Sequence, residues 1–165
     1  MKYIKSLQAR IFIIFILVGM IPIFLMKHVI LENYEEQAVD QKSTMIQNQC
    51  QQIVDQLEES GYVRGGTMDM QLDRQLTQLA EIYSGRVIVV DSNFWIIRDT
   101  FEIDEGRAII SEEVLQCFLG KDTTNYNREN EFLELTIPIN NSGTKQMEGI
   151  LIVSVPTLDI TGGKD

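Results

Sequence analysis

The hydrophobic positions of this chain begin as one unbroken block, residues 11–31, which reads IFIIFILVGMIPIFLMKHVIL. Its first sixteen residues carry no charge. A helix of this length rises roughly 31 Å, close to the thickness of the hydrocarbon core of a bilayer. The pattern predicts a transmembrane helix rather than a cleaved signal peptide, because the block is long and no small-residue cleavage site follows it. Lys2, Lys5 and Arg10 precede the block, so residues 1–10 are predicted to stay in the cytoplasm.

A sparser hydrophobic pattern follows in residues 32–60, which contain no proline or glycine and predict a long helix. Its apolar positions form one narrow stripe at heptad-like spacing: Val39, Ile46, Cys50, Ile53 and Leu57. Such a stripe is typical of a stalk that pairs with a second copy, and also of a core face packed on the chain's own domain. The two arrangements can hold together. We expect these five residues to form the stalk of a homodimer.

Beyond residue 60 the pattern changes from helical to alternating. Segment 61–68 contains glycines and predicts a break, and residues 69–84 predict a second helix with one apolar face. Ser111 is expected to cap a short helix. Runs rich in β-branched residues or alternating in polarity predict five strands: residues 86–91, 94–99, 123–128, 131–139 and 147–155. Tight turns between strands imply an antiparallel sheet, so the predicted class is α+β, a transmembrane helix continuing into a long helix that packs on about five strands.

Composition and charge argue against several classes of function. The formal net charge is −10, and all 24 acidic residues follow the apolar block, which argues against nucleic acid as a partner. One histidine, His28, and two distant cysteines, Cys50 and Cys117, give neither a zinc spacing nor a disulfide framework. We expect separate thiols, although the two cysteines could pair, as could Cys50 with its copy in a dimer. No nucleophile–histidine pairing appears, so we expect no enzymatic activity in this chain, no metal site and no cofactor.

Several stretches in a fixed order carry a resemblance to a known family. After the basic tail and the apolar block come RVIVVDSNFWIIRDT at 86–100, G-x-x-I at 106–109 and SEEVLQCFLG at 111–120. The strands FLELTIPI and EGILIVSV complete the series. In this combination the chain resembles, over nearly its whole length, the extracytoplasmic PAS-like (single Cache) sensor domain of bacterial membrane sensor histidine kinases. It departs from the family in the first hairpin turn, where Asn93 and Phe94 stand at a place that glycine commonly takes.

The resemblance implies a sensor in which a signal at the exported domain shifts a dimer, and membrane helices pass the shift to a cytoplasmic output module. It implies a sensor domain at residues 61–156 and a linker at 157–165 that leads toward a second transmembrane helix beyond this chain. The expected location is the cell membrane, with the sensor domain outside the cell. A chemoreceptor or a nucleotide cyclase could carry the same sensor. A single-span envelope scaffold that binds another protein is a further alternative.

The resemblance also implies a place for a small-molecule ligand, between the sheet and the loop and helix that cross it. Six residues are expected near that place: Arg86, Trp95, Arg98, Asp99, Tyr126 and Arg128. Arginine side chains suit a carboxylate ligand, with Trp95 as an aromatic wall. Alternatively, Arg86 and Arg98 pair with neighbouring acids on the open face of the sheet. The acidic loop at residues 102–105 offers oxygen ligands for a divalent cation, but it lacks a regular calcium-loop spacing.

Overall fold

The computed structural model describes most of the chain: residues 7–121, 123–127, 130–141 and 143–157. Residues 1–6 of the predicted tail, Arg128, and residues 158–165 of the predicted linker lie outside this part. The chain divides into two units, Met1–Ala38 and Val39–Asp165. Helix α1, Leu7–Ser60, has residues in both units.

The first unit contributes the amino-terminal part of helix α1, which includes Pro22. The apolar side chains described there, such as Phe12 and Phe15, are exposed. Within the described part of the chain, no helix has both the length and the hydrophobicity needed to cross a membrane. The predicted span at residues 11–31 is described with its side chains only as far as residue 23.

In the second unit, helix α1 ends at Ser60, and Gly61 beyond it adopts a left-handed conformation. A 3₁₀ turn at Tyr62–Arg64 follows, so the predicted break is present. Helix α2 spans Met70–Ile82, and the side chain of Asp69 caps its start by accepting a hydrogen bond from the backbone N–H of Gln71.

At the exit from helix α2, Ser84 adopts a left-handed conformation, with φ of 49°. Glycine is needed at the next position, Gly85, because a Cβ atom there would clash with the carbonyl oxygen of Ser154. The glycine therefore allows the start of the sheet to approach the last strand closely.

Five strands form one antiparallel sheet in the order β2-β1-β5-β4-β3. Their bounds are β1 Arg86–Asp91, β2 Ile96–Asp99, β3 Thr123–Asn127, β4 Phe132–Asn140 and β5 Met147–Pro156. The α+β class and the antiparallel sheet predicted from the alternating pattern are confirmed. Strand β2 begins later than predicted, because Phe94 is left-handed, with φ of 66°, and Trp95 forms an isolated bridge with Ala108.

Apolar side chains cover both faces of the sheet. On the face that we call the helix face, Val89 and Leu151 pack with helices α1 and α2. On the opposite face, which we call the groove face, Ile88 and Ile152 pack with helix α3, Glu112–Phe118. Because α3 is short, it covers only part of the groove face.

The five residues of the predicted dimer stalk lie in the core on the helix face. Val39, Ile46, Cys50, Ile53 and Leu57 are at most 7% exposed and pack with α2 and the sheet. The stripe is therefore a core face, the other arrangement that the sequence allowed, because the sheet needs an apolar cover and this is the apolar side of the helix. Side chains buried in this way offer little surface to a second copy, and the pairing of these five residues in a dimer stalk stays a prediction.

The two cysteines lie in separate cores on opposite faces of the sheet, Cys50 on the helix face and Cys117 on the groove face. A disulfide between them is excluded by this placement. Burial raises the pKa of the Cys50 thiol to about 12, which keeps it protonated and unreactive. A disulfide through Cys50 in a dimer is therefore disfavoured as well.

Candidate functional site

Asp99 organises the loop that follows strand β2. Its side chain is fully buried and accepts two hydrogen bonds from Arg86, at 2.9 Å from Nε and 2.6 Å from Nη2. Its carboxylate also accepts hydrogen bonds from the backbone N–H groups of Phe101, Ile103 and Asp104, each at 3.0 Å. The bonds from Arg86, reinforced by those from the backbone, hold the pKa of Asp99 well below its usual range. The carboxylate is therefore ionised and fixed at neutral pH.

Arg86, one of the two predicted ligand-binding arginines, is already occupied by partners within the chain. Besides its bonds to Asp99, its Nη2 atom lies 2.7 Å from a carboxylate oxygen of Asp104. Its guanidinium carbon also lies 5.6 Å from the ring centre of Phe101. The hydrogen bond to Asp99 raises the already high pKa of Arg86. Arg86 therefore pairs with neighbouring acids, as in the second of the two arrangements considered from the sequence. A carboxylate ligand would have to displace those partners.

Arg98, the other predicted arginine, lies on the helix face. A register shift between strands β1 and β2 sets it opposite Val89, which belongs to the core on that face. Its Nε atom lies 2.7 Å from Asp73 of helix α2, and its Nη1 atom lies 2.8 Å from Glu105. Nη1 also donates to the backbone carbonyl of Asp99 at 2.6 Å. Both arginines are therefore paired, on opposite faces of the sheet.

A groove with a volume of about 520 Å³ lies on the groove face. A polar row crosses its floor, because Arg86 of β1 pairs with Ser154 of β5, and Ser154 pairs with Glu134 of β4. The Ser154 hydroxyl donates a hydrogen bond to Glu134 at 3.2 Å. Phe101 and Phe132 contribute aromatic surface to its lining. A concave space with a few convergent polar groups is the usual form of a small-molecule site.

Among the described side chains, the lining of the groove carries more negative charge than positive charge. Arg86 is the basic side chain in its described lining, and that charge is neutralised by its own carboxylate partners. Glu131 and Glu134 also line the groove, and neither forms an ion pair with another described side chain. Burial raises the pKa of Glu134, and the nearby Glu113 of α3 raises it further. A ligand that brings another carboxylate would therefore meet repulsion here.

The six predicted ligand residues do not come together in this groove. Arg86 lines it, and Asp99 holds the loop that carries one of its walls. Arg98 instead lines a second groove of about 420 Å³ on the helix face, together with Tyr62 and Glu105.

The other three residues lie elsewhere. Trp95 is 48% exposed, Tyr126 packs against the core on the helix face, and Arg128 is outside the described residues. Sequence reasoning missed Glu134 and Ser154, whose signal was their phase: each is a polar residue between apolar neighbours of a strand, so each faces away from the helix-face core.

Two of the three acidic side chains in the loop at residues 102–105, those of Asp104 and Glu105, are engaged by arginines. Asp104 contacts both Arg86 and Arg107, and Glu105 contacts Arg98. Over the ranges that the structure describes, no group of three or more histidine, cysteine, aspartate or glutamate residues is placed to hold a metal ion. The loop therefore acts as a partner for basic side chains in this fold.

Comparison with known proteins gives a likeness in fold. No protein-family model matches the chain, and no curated protein matches its sequence. An extracellular ligand-binding receptor from Desulfohalobium retbaense aligns with a TM-score of 0.53 and 16% sequence identity, over 78% of this chain and 25% of that one. The chain thus spans about a quarter of the length of that receptor. At this level of identity the likeness is one of fold alone, between this chain and part of that receptor.

A second solved structure, a sensory box sensor histidine kinase from Vibrio cholerae, aligns more loosely. Its TM-score is 0.39 and its sequence identity is 13%, over 52% of this chain and 92% of that one.

Proposed function

We propose that this chain is the extracytoplasmic, signal-sensing part of a membrane-bound sensor histidine kinase. The observation that carries the proposal is the likeness of its fold to that of a protein described as an extracellular ligand-binding receptor. The ordered motifs in residues 86–155, which resemble single Cache sensor domains, support the same assignment. The groove over the sheet provides a place where a small molecule can be sensed.

In this proposal the apolar block at residues 11–31 anchors the chain, and the second unit lies outside the cell. The length of the block, its lack of charge and the basic residues before it support this placement. Alkaline phosphatase, which is active only outside the bacterial cytoplasm, would be fused after residue 157. We expect an active fusion, and an inactive one when residues 11–31 are deleted. An inactive full-length fusion, with a fluorescent protein at the same position folding in the cytoplasm, would contradict the placement.

The output module is tested by the coding sequence beyond Asp165. We expect a second apolar span and then a module with a phospho-accepting histidine. A methyl-accepting or cyclase module there would keep the sensor and replace the kinase. A stop codon directly after Asp165, together with a stable protein partner, would favour the envelope scaffold and overturn the proposal.

We further propose that the groove takes a neutral or cationic small molecule rather than a carboxylate. Among the described side chains, Glu131 and Glu134 line the groove without an ion-pair partner, and aromatic rings in the lining can hold a cation. The test is a thermal-shift series on the full chain with aliphatic and aromatic amines, matched to carboxylic acids of the same carbon skeleton. We expect stabilisation by amines that Glu134→Gln abolishes and Glu59→Gln, at an exposed position of α1, leaves intact. Stabilisation by the acids alone would contradict the proposal.

A further inference from the structure

The loop that follows strand β2 is held from both faces of the sheet. Asp104 binds Arg86 at 2.7 Å beside the groove, whereas Glu105 binds Arg98 at 2.8 Å on the helix face. Asp104 and Glu105 are consecutive residues, so a backbone displacement at one of them is passed directly to the other. Asp99 ties the same loop to the end of β2 through its buried carboxylate. The loop therefore links the two faces through charged contacts.

Arg98 extends this link to the helices. Its guanidinium joins Glu105 of the loop to Asp73 of helix α2, at 2.8 Å and 2.7 Å, and its side chain is only 16% exposed. At the far end of α2, the Tyr83 hydroxyl donates to Gln49 of helix α1 at 2.8 Å. Polar contacts thus run from the groove through the loop to Asp73 in α2, and the helix itself connects Asp73 to the hydrogen bond between Tyr83 and α1.

We infer that Arg98 is a positioning residue that makes the loop and helix α2 move together, so that a change at the groove reaches the helices. The inference rests on the proposed sensing function. Arginine suits this position because its planar fork presents several donors in fixed directions and can hold two carboxylates and the Asp99 carbonyl at once. Lysine would keep the charge and lose that geometry.

The test uses hydrogen–deuterium exchange on the full chain, with no ligand added. Asp104→Asn weakens the groove side of the loop without touching Arg98 or α2. We expect the amides of residues 77–82 in α2 to exchange at least threefold faster in this variant. In an Arg98→Lys background the same Asp104→Asn change should alter α2 exchange by less than 1.5-fold, because the link is already cut. Circular dichroism confirms that each variant is folded.

Asp91→Asn is the matched control, since Asp91 caps an exposed turn of the first hairpin and is not bound to either arginine in the described contacts. It should leave α2 exchange unchanged. Unchanged α2 exchange in Asp104→Asn, or an equal increase with and without Arg98→Lys, would overturn the inference. Neither result bears on the sensing proposal, which the phosphatase fusions and the downstream coding sequence decide separately.

Discussion

Replacing Asp99 with asparagine tests how far the loop depends on one buried carboxylate. An amide cannot accept the same set of bonds from Arg86 and three backbone N–H groups, and it leaves a guanidinium short of its partner. We expect the free energy of unfolding to fall by about 3 kcal/mol, as when a buried ion pair loses one member. Urea denaturation followed by circular dichroism measures the change. Asp91→Asn, at an exposed turn, should cost less than about 1 kcal/mol, and equal losses in the two variants would refute the assigned role.

Glu134 provides a prediction about how the stability of the fold depends on pH. Burial raises its folded-state pKa above the usual 4.5, so the unfolded chain gives up this proton first as pH rises. Ionisation of Glu134 therefore opposes folding above pH 4.5, and the deficit is complete once the pH exceeds the folded-state pKa. Glu134→Gln cannot ionise and can still accept the bond from Ser154.

We expect Glu134→Gln to unfold at a higher temperature than the wild type at pH 7, and at nearly the same temperature at pH 3. Differential scanning calorimetry at the two pH values measures both. Glu59→Gln should show no such pH-dependent gain. A wild type that is the more stable protein at pH 7 would show that the ionised Glu134 has a stabilising partner.

At the scale of elements, helix α1 offers a direct test of which side forms the core. Ile46 is fully buried, whereas its neighbour Met45 is 52% exposed. Ile46→Ala should lower the free energy of unfolding by about 3 kcal/mol through the cavity it leaves, and Met45→Ala should change it by less than about 0.5 kcal/mol. Urea denaturation measures both variants. If Met45→Ala proved the more costly change in dilute solution, the assignment of the Ile46 side of α1 to the core would be wrong.

Periodicity predicted the elements well and their partners poorly. Alternation in Phe132–Asn140 and Met147–Pro156 predicted strands, because one face of each is buried and the pleat has a period of two. The stripe in α1 identified an apolar face but could not say whether the chain's own sheet or a second copy covers it. The face of Arg98 depends on a register shift that side-chain identity does not encode. Its partner Asp73 lies 25 positions away in sequence, so the pairing appears only in the folded chain.

In the candidate site, the sequence likewise identified charged residues but not the partners that neutralise them. Arginines at two strand positions indicated an anion site, since their chemistry suits carboxylates. The fold instead places Asp99 and Asp104 beside Arg86, so the positive charge of Arg86 is neutralised within the chain. The described acidic side chains left without an ion pair in the groove are Glu131 and Glu134, whose residue type gave no distinctive signal among 24 acidic residues.

At the scale of the whole molecule, the proposed role as a sensor kinase predicts a homodimer. Because the apolar stripe of α1 is buried within the chain, such a homodimer would form through other contacts. Met45 is the exposed large apolar side chain in the part of α1 from residue 39 to 60, on the side that the core does not use. We therefore expect α1 to meet its copy through this side. In membranes, Met45→Cys should form a covalent dimer on mild oxidation, and Lys121→Cys, exposed but distant in sequence, should not.

The wild-type chain is the control for the native thiols. Cys50 and Cys117 are buried, and the pKa of Cys50 is raised to about 12, so oxidation without an added cysteine should leave a monomer on the gel. A dimer from Met45→Cys that disappears when the membranes are dissolved and diluted before oxidation would show a reversible, membrane-held pair. Equal cross-linking of Met45→Cys and Lys121→Cys would indicate random collision, and monomer alone from both would place any dimer contact away from α1.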